Sequence, residues 1–472
     1  MRARVLVPSL FPILTALGDA AFAQRQPAPF ASLRVEDLAP LASAYAAKIA
    51  ASALFVSRRP LASVLEEELA PDGPIERVIR PLLRFEVDEE EHSVTCRILG
   101  HEATARWVPG LGCALGITRQ EALRRGRAMP RPKSPLPREE AWPDGEGDPD
   151  PSGIDAEALR AALDLAFAER GGEAIRTRAV VIVKDGRLVA ERYAKGYDRD
   201  MPLPGWSMSK TITLALIGCR ILDGRMREGA IDLPEWRREG DPRAAITLDD
   251  LLRMRSGLSW REDYEDPTSP ALTMLFRARD AGSVAAAQPL AHPPRSTYLY
   301  SSGTTNLLCR LLRESFDRIE DYWSYPRGLF DAIGARSMVV ETDPSGTFVG
   351  SSFAFATARD WARFGQFLLQ DGVWDGRRLL PEGWMAKAQR PTPGSRGGFG
   401  RHLWLDAPRA KGDPSSREWP ELPEGLFHLD GHEGQYVFAI PKARLVVVRL
   451  GCTKRGRFPL REFLDAVWRA CR

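Results

Sequence analysis

Apolar side chains recur at helical spacing in several segments of this chain. The segments predicted to be helices are 38–52, 154–169, 247–254, 358–369 and 460–470. A further segment, 208–222, is apolar almost all round, and a helix of that kind is expected to be buried. The pattern therefore predicts one helix that lies deep in a core.

Strand patterns fall near both ends of the chain. The strand-like segments are 54–56, 82–87, 94–99, 179–183, 188–193, 436–440 and 445–450. Asp185 and Gly186 lie between two of them, and this dipeptide favours a tight hairpin turn. Segments 436–440 and 445–450 are predicted to form a second hairpin. Strands on both sides of a helical middle predict an α+β fold, in which one antiparallel sheet joins the two ends and a helical subdomain is inserted.

A proline-rich segment divides the chain. Between residues 127 and 153, seven prolines alternate with charged residues and glycines. This composition predicts a semi-extended linker with little capacity to form a core. It separates a small α/β accessory domain, 24–126, from a larger unit, 154–472. The accessory domain carries no recognisable catalytic constellation.

The first 23 residues have the pattern of an export signal. Arg2 and Arg4 precede the apolar stretch 5–17, and an Ala-x-Ala cleavage site ends at Ala23. Export would place the mature protein in the periplasm or outside the cell, whereas a start that is not a signal would leave it in the cytoplasm. No later stretch approaches the ~20 apolar residues of a membrane span, so none is predicted in the mature protein.

Charge and cysteine content argue against several classes of protein. The net charge is +3 over 472 residues and there is no long basic run, so a nucleic-acid partner is not expected. The six cysteines lie far apart without a Cys-x-x-Cys pair, which argues against a zinc site. In an oxidising compartment, Cys96 and Cys113 are candidates for a disulfide.

Where the apolar segment 208–222 begins, Ser207 and Lys210 form the only Ser-x-x-Lys tetrad of the chain. A serine and a lysine three residues apart share one face of a helix. A desolvated lysine there can accept the serine proton, which leaves a nucleophile able to form an acyl-enzyme. The alternative for Ser207 is a helix N-cap, a position that serine often fills. Lys210 favours catalysis, because a lysine in an apolar helix is costly to bury without a partner.

Two further segments carry groups that suit such a reaction. Tyr300 and Ser302 follow a pair of prolines, and a tyrosine near a lysine ammonium can be pushed toward phenolate and relay protons. His432, Gly434 and Gln435 lead into the strand 436–440, where glycines let a ligand approach and a backbone N–H can bind an oxyanion. The alternatives are a core aromatic residue and an ordinary glycine-rich turn.

The order of these three motifs resembles that of the serine β-lactamase and penicillin-recognising superfamily, whose motifs are S-x-x-K, Y-x-N and K-T-G or H-x-G. The resemblance is strongest to the class C-like branch, which includes esterases and 6-aminohexanoate-dimer hydrolases. It covers about residues 175–455, with supporting runs at 247–258, 356–360 and 381–384. It implies a β-lactamase-like fold for the unit 154–472 and needs neither a metal nor an organic cofactor.

The resemblance implies roles for individual residues. Ser207 would attack a carbonyl group, Lys210 would accept its proton, and Tyr300 would protonate the leaving group. The backbone N–H groups of Ser207 and Gln435 would bind the oxyanion.

Substrate contacts are implied at four further positions: Ser302, His432, Gly434 and Tyr264. Ser302 stands where the family has asparagine, and the third motif reads His-Glu-Gly in place of Lys-Thr-Gly. These departures are similar to the esterase, amidase and peptidase branch and point away from efficient antibiotic hydrolysis. The expected substrate is a small ester or linear amide. The alternatives are a β-lactam or D-alanyl peptide substrate and, in a different class, a sensor that is acylated once and not turned over.

Overall fold

The N-terminal unit, residues 35–128, is a helix packed on a four-stranded antiparallel sheet. The computed structural model describes residues 34–70, 74–169, 175–410, 412–453 and 456–472, so the predicted export signal lies outside the described residues. The helices of this unit are α1 (Val35–Phe55), α2 (Leu61–Glu66), α3 (Pro74–Ile79) and α4 (Arg119–Ala128). Its strands, in sheet order, are β1 (Arg84–Asp88), β2 (Ser93–Ile98), β3 (His101–Val108) and β4 (Gly112–Leu115).

Helix α1 forms the core of this unit. Its alanine-rich face is buried on β2, β3 and β4, because small side chains let a helix approach a sheet closely. The predicted strand at 54–56 is wrong, since the helix continues through Phe55. Among the described residues, α1 is long and apolar enough to cross a membrane, and the expectation that no membrane span follows the signal stays a prediction. Here 56% of its apolar window is buried inside the protein.

The proline-rich segment contains no helix or strand between α4 and residue 155, but it is not a free linker. Trp142 is 4% exposed and belongs to the main apolar core. The Glu146 carboxylate lies 2.9 Å from the guanidinium groups of both Arg359 and Arg363. The expectation of little core-forming capacity is therefore wrong at Trp142, because one large aromatic side chain is enough to attach the segment.

The C-terminal unit, residues 156–472, is a larger α+β structure. Its helices are α5 (Ala156–Phe167), α6 (Ser209–Leu222), α7 (Leu248–Leu252), α8 (Pro270–Phe276), α9 (Ala281–Ala286), α10 (Ser302–Glu314), α11 (Ile319–Ala332), α12 (Ala358–Leu369), α13 (Trp384–Ala388) and α14 (Leu460–Cys471). Its strands are β5 (Thr177–Lys184), β6 (Arg187–Tyr193), β7 (Leu203–Pro204), β8 (Val339–Val340), β9 (Ala354–Ala356), β10 (Val373–Trp374), β11 (Arg377–Arg378), β12 (Trp404–Leu405), β13 (Phe427–Gly431), β14 (Gln435–Ile440) and β15 (Leu445–Gly451).

One antiparallel sheet joins the two ends of this unit, as predicted. Its strand order is β12-β13-β14-β15-β5-β6, so β15 pairs with β5 across more than 250 residues of chain. Both predicted hairpins are present, and Asp185 and Gly186 adopt the left-handed conformations that a tight turn needs, with φ of 54° and 76°. Alternate side chains of the sheet enter two apolar cores, one against α12 and one against α5 and α14.

All six cysteines are free thiols, so Cys96 and Cys113 are not joined. Both are buried in the N-terminal unit, where each behaves as a small apolar side chain.

Candidate active site

Ser207 lies in a tight turn directly before the buried helix α6. Residues Trp206–Met208 form one 3-10 turn, and Trp206 has a left-handed backbone with φ of 47°. The Ser209 hydroxyl holds this turn in place, because it donates to Trp206 O at 2.6 Å and accepts from the backbone N–H of Ala354 at 3.0 Å. Neither this turn nor α6 has a side-chain N-cap, so the capping alternative for Ser207 is not observed.

Lys210 is the centre of the hydrogen-bond network. It is 2% exposed, and its Nζ lies 2.9 Å from each of three acceptors: Ser207 Oγ, Ser302 Oγ and the carbonyl oxygen of Ser351. Burial lowers the pKa of Lys210 to about 8, although the nearby carboxylates of Glu262 and Asp430 oppose that shift. A neutral amine is therefore accessible to Lys210 near physiological pH, as a proton acceptor requires.

Glu262 was not predicted from the sequence and determines the direction of these hydrogen bonds. Its carboxylate accepts from the backbone N–H of Ser302 at 2.8 Å and from the Ser302 hydroxyl. Because the Ser302 proton is given to Glu262, Ser302 Oγ accepts from Lys210, and a carbonyl such as that of Ser351 can only accept. A neutral Lys210 therefore donates its two N–H groups to Ser302 Oγ and to the carbonyl oxygen of Ser351, and its lone pair faces the Ser207 hydroxyl.

Tyr300 is held by aromatic packing beside this network. Its ring stacks on Trp404 with centroids 5.4 Å apart and meets Phe399 edge-on at 5.8 Å, and Lys210 Nζ lies 4.9 Å from its centroid. Burial, with the negative charge of Glu262, raises the pKa of Tyr300 well above its ordinary value, and a hydrogen bond with Ser207 only partly offsets this. These effects favour a neutral phenol for Tyr300 over the phenolate that the nearby Lys210 ammonium would favour.

The turn between β13 and β14 lies against Ser207. Gly431 passes so close to Gly205 that a Cβ at Gly431 would collide with the Gly205 carbonyl oxygen. The Gln435 side chain points away from the site, since it bonds both the carbonyl oxygen and the N–H of Gly451, at 2.6 and 3.0 Å. What Gln435 offers a substrate is therefore its backbone, at the start of β14. Buried Arg449 supports the turn by donating to the carbonyl oxygen of Gly434 at 2.7 Å.

His432 and Tyr264 border the opening of the site. The His432 side chain is 58% exposed, and its ring lies 5.6 Å from that of Trp206 and 6.1 Å from that of Tyr264. Tyr264 is 39% exposed, but its hydroxyl points inward and donates to Glu262 at 2.6 Å. Contacts therefore bring together six of the residues singled out from the sequence: Ser207, Lys210, Tyr264, Tyr300, Ser302 and His432. Gly434 and Gln435 follow His432 in the turn that leads into β14.

Glu262 lies two residues before Tyr264, and that proximity is the one signal in the sequence that points to it. Within the described ranges, no group of three or more His, Cys, Asp or Glu residues is arranged to hold a metal ion. The site thus consists of hydroxyl groups, one amine of lowered pKa, the His432 imidazole, backbone groups and the Glu262 carboxylate, with the Asp430 carboxylate nearby.

The fold and the Ser–Lys–Tyr site together define a serine hydrolase with a β-lactamase-like fold. A family model described as Beta-lactamase matches residues 163–462, which is more than half of the chain. The chain therefore belongs to the Beta-lactamase family. The match begins within α5, so the N-terminal unit lies outside it.

Individual relatives are distant in sequence. The chain is 24% identical over 327 residues to the 6-aminohexanoate-dimer hydrolase of Paenarthrobacter ureafaciens, a match that covers 58% of this chain and 81% of that protein. Among solved structures, EstCE1, a hydrolase with promiscuous acyltransferase activity, is similar with a TM-score of 0.52 and 18% identity, covering 66% of this chain and 98% of that chain. A family VIII carboxylesterase is similar with a TM-score of 0.50 and 16% identity, covering 69% and 99%.

Proposed function

We propose that this protein hydrolyses small esters or linear amides through an acyl-enzyme formed on Ser207. The observation that carries the proposal is the hydrogen bond between Lys210 and Ser207, in a network that leaves the lysine lone pair directed at the serine hydroxyl. The distant likeness to a 6-aminohexanoate-dimer hydrolase supports a linear amide as one substrate class. The likeness to a family VIII carboxylesterase supports a second class, simple esters.

The proposed reaction has two halves. Neutral Lys210 takes the Ser207 proton while Ser207 Oγ bonds to the substrate carbonyl carbon, and the backbone N–H groups of Ser207 and Gln435 bind the oxyanion. The C–O or C–N bond then breaks, the phenol of Tyr300 gives its proton to the leaving alcohol or amine, and protonated Lys210 returns a proton to Tyr300. Water attacks the acyl-enzyme by the reverse sequence and releases the acid and free Ser207. Losing one oxyanion donor typically costs about 3 kcal/mol of transition-state stabilisation.

The nucleophile can be tested by covalent labelling. A fluorophosphonate should modify wild-type protein at Ser207, as mapped by peptide mass spectrometry, and Ser207→Ala should be neither labelled nor active on p-nitrophenyl acetate. Ser324→Ala is a matched control, because the Ser324 hydroxyl bonds only a backbone carbonyl of its own helix. Labelling at another residue, or full activity of Ser207→Ala, would rule the assignment out.

The substrate class requires a second comparison. Rates should be measured on p-nitrophenyl esters, linear aminohexanoate dimer, nitrocefin and a D-alanyl dipeptide. We expect ester or linear-amide turnover to exceed nitrocefin turnover. Faster nitrocefin hydrolysis would contradict the proposal, and a burst of acylation without steady turnover would favour the sensor alternative.

We also propose that the protein is exported, on the pattern of residues 1–23. If so, the mature chain isolated from its native host should begin at Gln24, which N-terminal sequencing would detect.

A further inference from the structure

The residue before the proposed nucleophile is packed against the N-terminal unit. The Trp206 ring contacts apolar residues of both units and lies 6.1 Å, centroid to centroid, from Phe353. It borders a narrow cleft together with Ile49 and Ser52 of α1. A left-handed backbone at a non-glycine residue is strained and persists only where the surroundings enforce it. Part of what enforces it at Trp206 is therefore the surface of the N-terminal unit.

A buried ion pair joins the two units beside Trp206. Lys48 of α1 and Glu341, next to β8, are 2% and 0% exposed and form a salt bridge. The other two ammonium protons of Lys48 go to Ser52 Oγ at 3.0 Å and to the carbonyl oxygen of Cys113 at 2.9 Å. The remaining oxygen of Glu341 accepts from the Cys113 N–H at 2.7 Å and from the Ser52 hydroxyl at 2.9 Å. The Glu341 side chain is thus bound by donors of the N-terminal unit.

Glu341 in turn holds the segment that supports Lys210. Its backbone N–H donates to the carbonyl oxygen of Phe353 at 2.8 Å, and its own carbonyl accepts from the N–H of Val349 at 2.9 Å. Between these two anchors lies Ser351, whose carbonyl oxygen is one of the three acceptors of Lys210. Lys48 Nζ also lies 4.4 Å from the centroid of the Phe353 ring. A continuous chain of short contacts therefore runs from α1 to the amine of Lys210.

We propose that the N-terminal unit is a positioning part of the active site: through Lys48 and Glu341 it fixes the 349–353 segment that holds Lys210, and with Phe353 it fixes Trp206 behind Ser207. Lys48 touches neither substrate nor the reacting atoms, and it acts through Glu341. This inference rests on the proposed roles of Ser207 and Lys210. It gives a function to a unit that lies outside the family match and carries no catalytic residues of its own.

The test replaces Lys48 by methionine, which has a similar length and no charge. Because Lys48→Met leaves a buried carboxylate unpaired, the double variant Lys48→Met/Glu341→Gln serves as the rescue, since a neutral amide can still accept from Cys113 and Ser52. Arg97→Met is the matched control, because Arg97 lies on the exposed face of the same unit and pairs only with exposed glutamates. Active sites in each preparation are counted by fluorophosphonate labelling at Ser207, so that unfolded protein does not enter the rates.

Per labelled site, we expect kcat of Lys48→Met on p-nitrophenyl acetate to fall about 10- to 100-fold, with KM little changed, because a displaced Lys210 misaligns the reacting groups without altering the opening. The rising limb of its pH–rate profile should move to higher pH, since a loosened 349–353 segment lets water reach Lys210. Arg97→Met should behave as wild type, and the double variant should recover much of the loss.

A reduced number of labelled sites, each with wild-type kcat and an unshifted pH profile, would overturn the inference, because it would show that Lys48 supports folding alone. Wild-type kcat in Lys48→Met would do the same. Failure of wild-type protein to label at Ser207 is a different result, since it would remove the proposed function and this inference with it.

Discussion

At the scale of single residues, the reaction depends on whether Lys210 carries a proton. Burial lowers its pKa to about 8, and only the neutral amine can accept the Ser207 proton. We therefore expect kcat/KM for an uncharged ester to rise with pH, with a midpoint near pH 8, and to level off above it. Lys210→Arg should lose roughly 10²–10⁴-fold at every pH, because guanidinium stays protonated. A flat wild-type profile between pH 6 and pH 9 would contradict a role for Lys210 as the base.

Glu262 should affect both the rate and this pH profile. The two oxygens of Glu262 accept from the Ser302 N–H and from the Ser302 hydroxyl, but a glutamine amide has only one oxygen and presents N–H groups on its other side. In Glu262→Gln the Ser302 hydroxyl therefore no longer has to accept a hydrogen bond from Lys210. We expect kcat to fall roughly 10–100-fold, as expected for reacting groups that are misaligned. We also expect the rising limb to move below pH 8, because Glu262 is, with Asp430, one of two carboxylates whose negative charge raises the pKa of Lys210.

Glu265→Gln, in the same exposed loop, is the control for charge alone. If both variants shift the rising limb of the pH–rate profile by the same amount, the shift comes from the loss of negative charge in the loop and not from the hydrogen bonds between Glu262 and Ser302. The rate loss, by contrast, should occur only in Glu262→Gln.

The difference between these residues shows what a sequence can predict at this scale. Ser207 and Lys210 are three positions apart, and their chemistry is visible in that spacing. Tyr300 becomes recognisable through the order of the motifs. Glu262 acts on Ser302 across 40 residues of chain from a loop without a regular pattern, so only the folded structure brings them together. The protonation state of Tyr300 depends in the same way on burial and on Glu262, which no sequence pattern shows.

At the scale of elements, the turn between β13 and β14 carries a specific prediction. Gly434 has φ of 79°, and a Cβ there would lie 2.5 Å from Arg449 Nη1, the group that holds the turn. Gly434→Ala should therefore displace the Gln435 N–H and lower kcat by about 10²–10³-fold, the loss typical of a missing oxyanion donor. Steady-state kinetics with p-nitrophenyl acetate would measure it.

Gly186→Ala is the matched control for this prediction. Gly186 also has a positive φ, 76°, in the hairpin between β5 and β6, but a Cβ there would meet open space. Both variants carry the same kind of backbone strain, so their melting temperatures should fall by similar small amounts. Only Gly434→Ala should lose activity, and an equal loss in both would show that strain alone is responsible.

Elements were predictable where the signal is local. The Asp-Gly turn, the buried helix α6 and helix α12 follow from short patterns, and the structure has all three. The segment 54–56 has three apolar residues that fit a strand or a helix equally well, and it ends α1 because that helix continues through Phe55. Strand pairing between β15 and β5 was expected only from the presence of strands at both ends. The pairs β7–β9 and β8–β9, two or three residues long, have no comparable signal.

At the scale of the whole molecule, a second polar cluster joins the two units. Arg178 of β5 is 1% exposed and donates to Glu67 at 2.9 Å and to Glu68 at 2.6 Å, and Arg59 pairs with the same two carboxylates. The partners of Arg178 are 110 or more residues away along the chain, so no sequence pattern relates them. The proline-rich composition between the units predicted a loose connection, whereas these contacts and Trp142 attach them closely.

Removing Arg178 should therefore uncouple the units. Arg178→Met leaves two partly buried carboxylates with one guanidinium. Because Arg178 itself is 1% exposed, breaking this pair should cost up to about 3–5 kcal/mol. We expect the free energy of unfolding, measured in urea by tryptophan fluorescence, to fall by about that amount or the transition to split in two. Arg192→Met is the control, because Arg192 forms a partly exposed pair with Asp164, worth about 0–1 kcal/mol. Equal losses in the two variants would contradict the coupling.

The same cluster predicts how the molecule responds to acid. Burial alone would raise the pKa of Glu68, but the guanidinium groups of Arg178 and Arg59 outweigh it and hold that pKa below its ordinary value of 4.5. A carboxyl group whose pKa is lower in the folded protein stabilises it fully above pH 4.5, and the stabilisation is lost as pH falls through the folded-state pKa. Unfolding free energy measured between pH 7 and pH 3 should thus fall on the acid side of pH 4.5. The fall should be smaller in Arg178→Met, in which the main source of the lowered pKa is gone. An acid dependence that is identical in the two proteins would show that Glu68 does not couple the units through its charge.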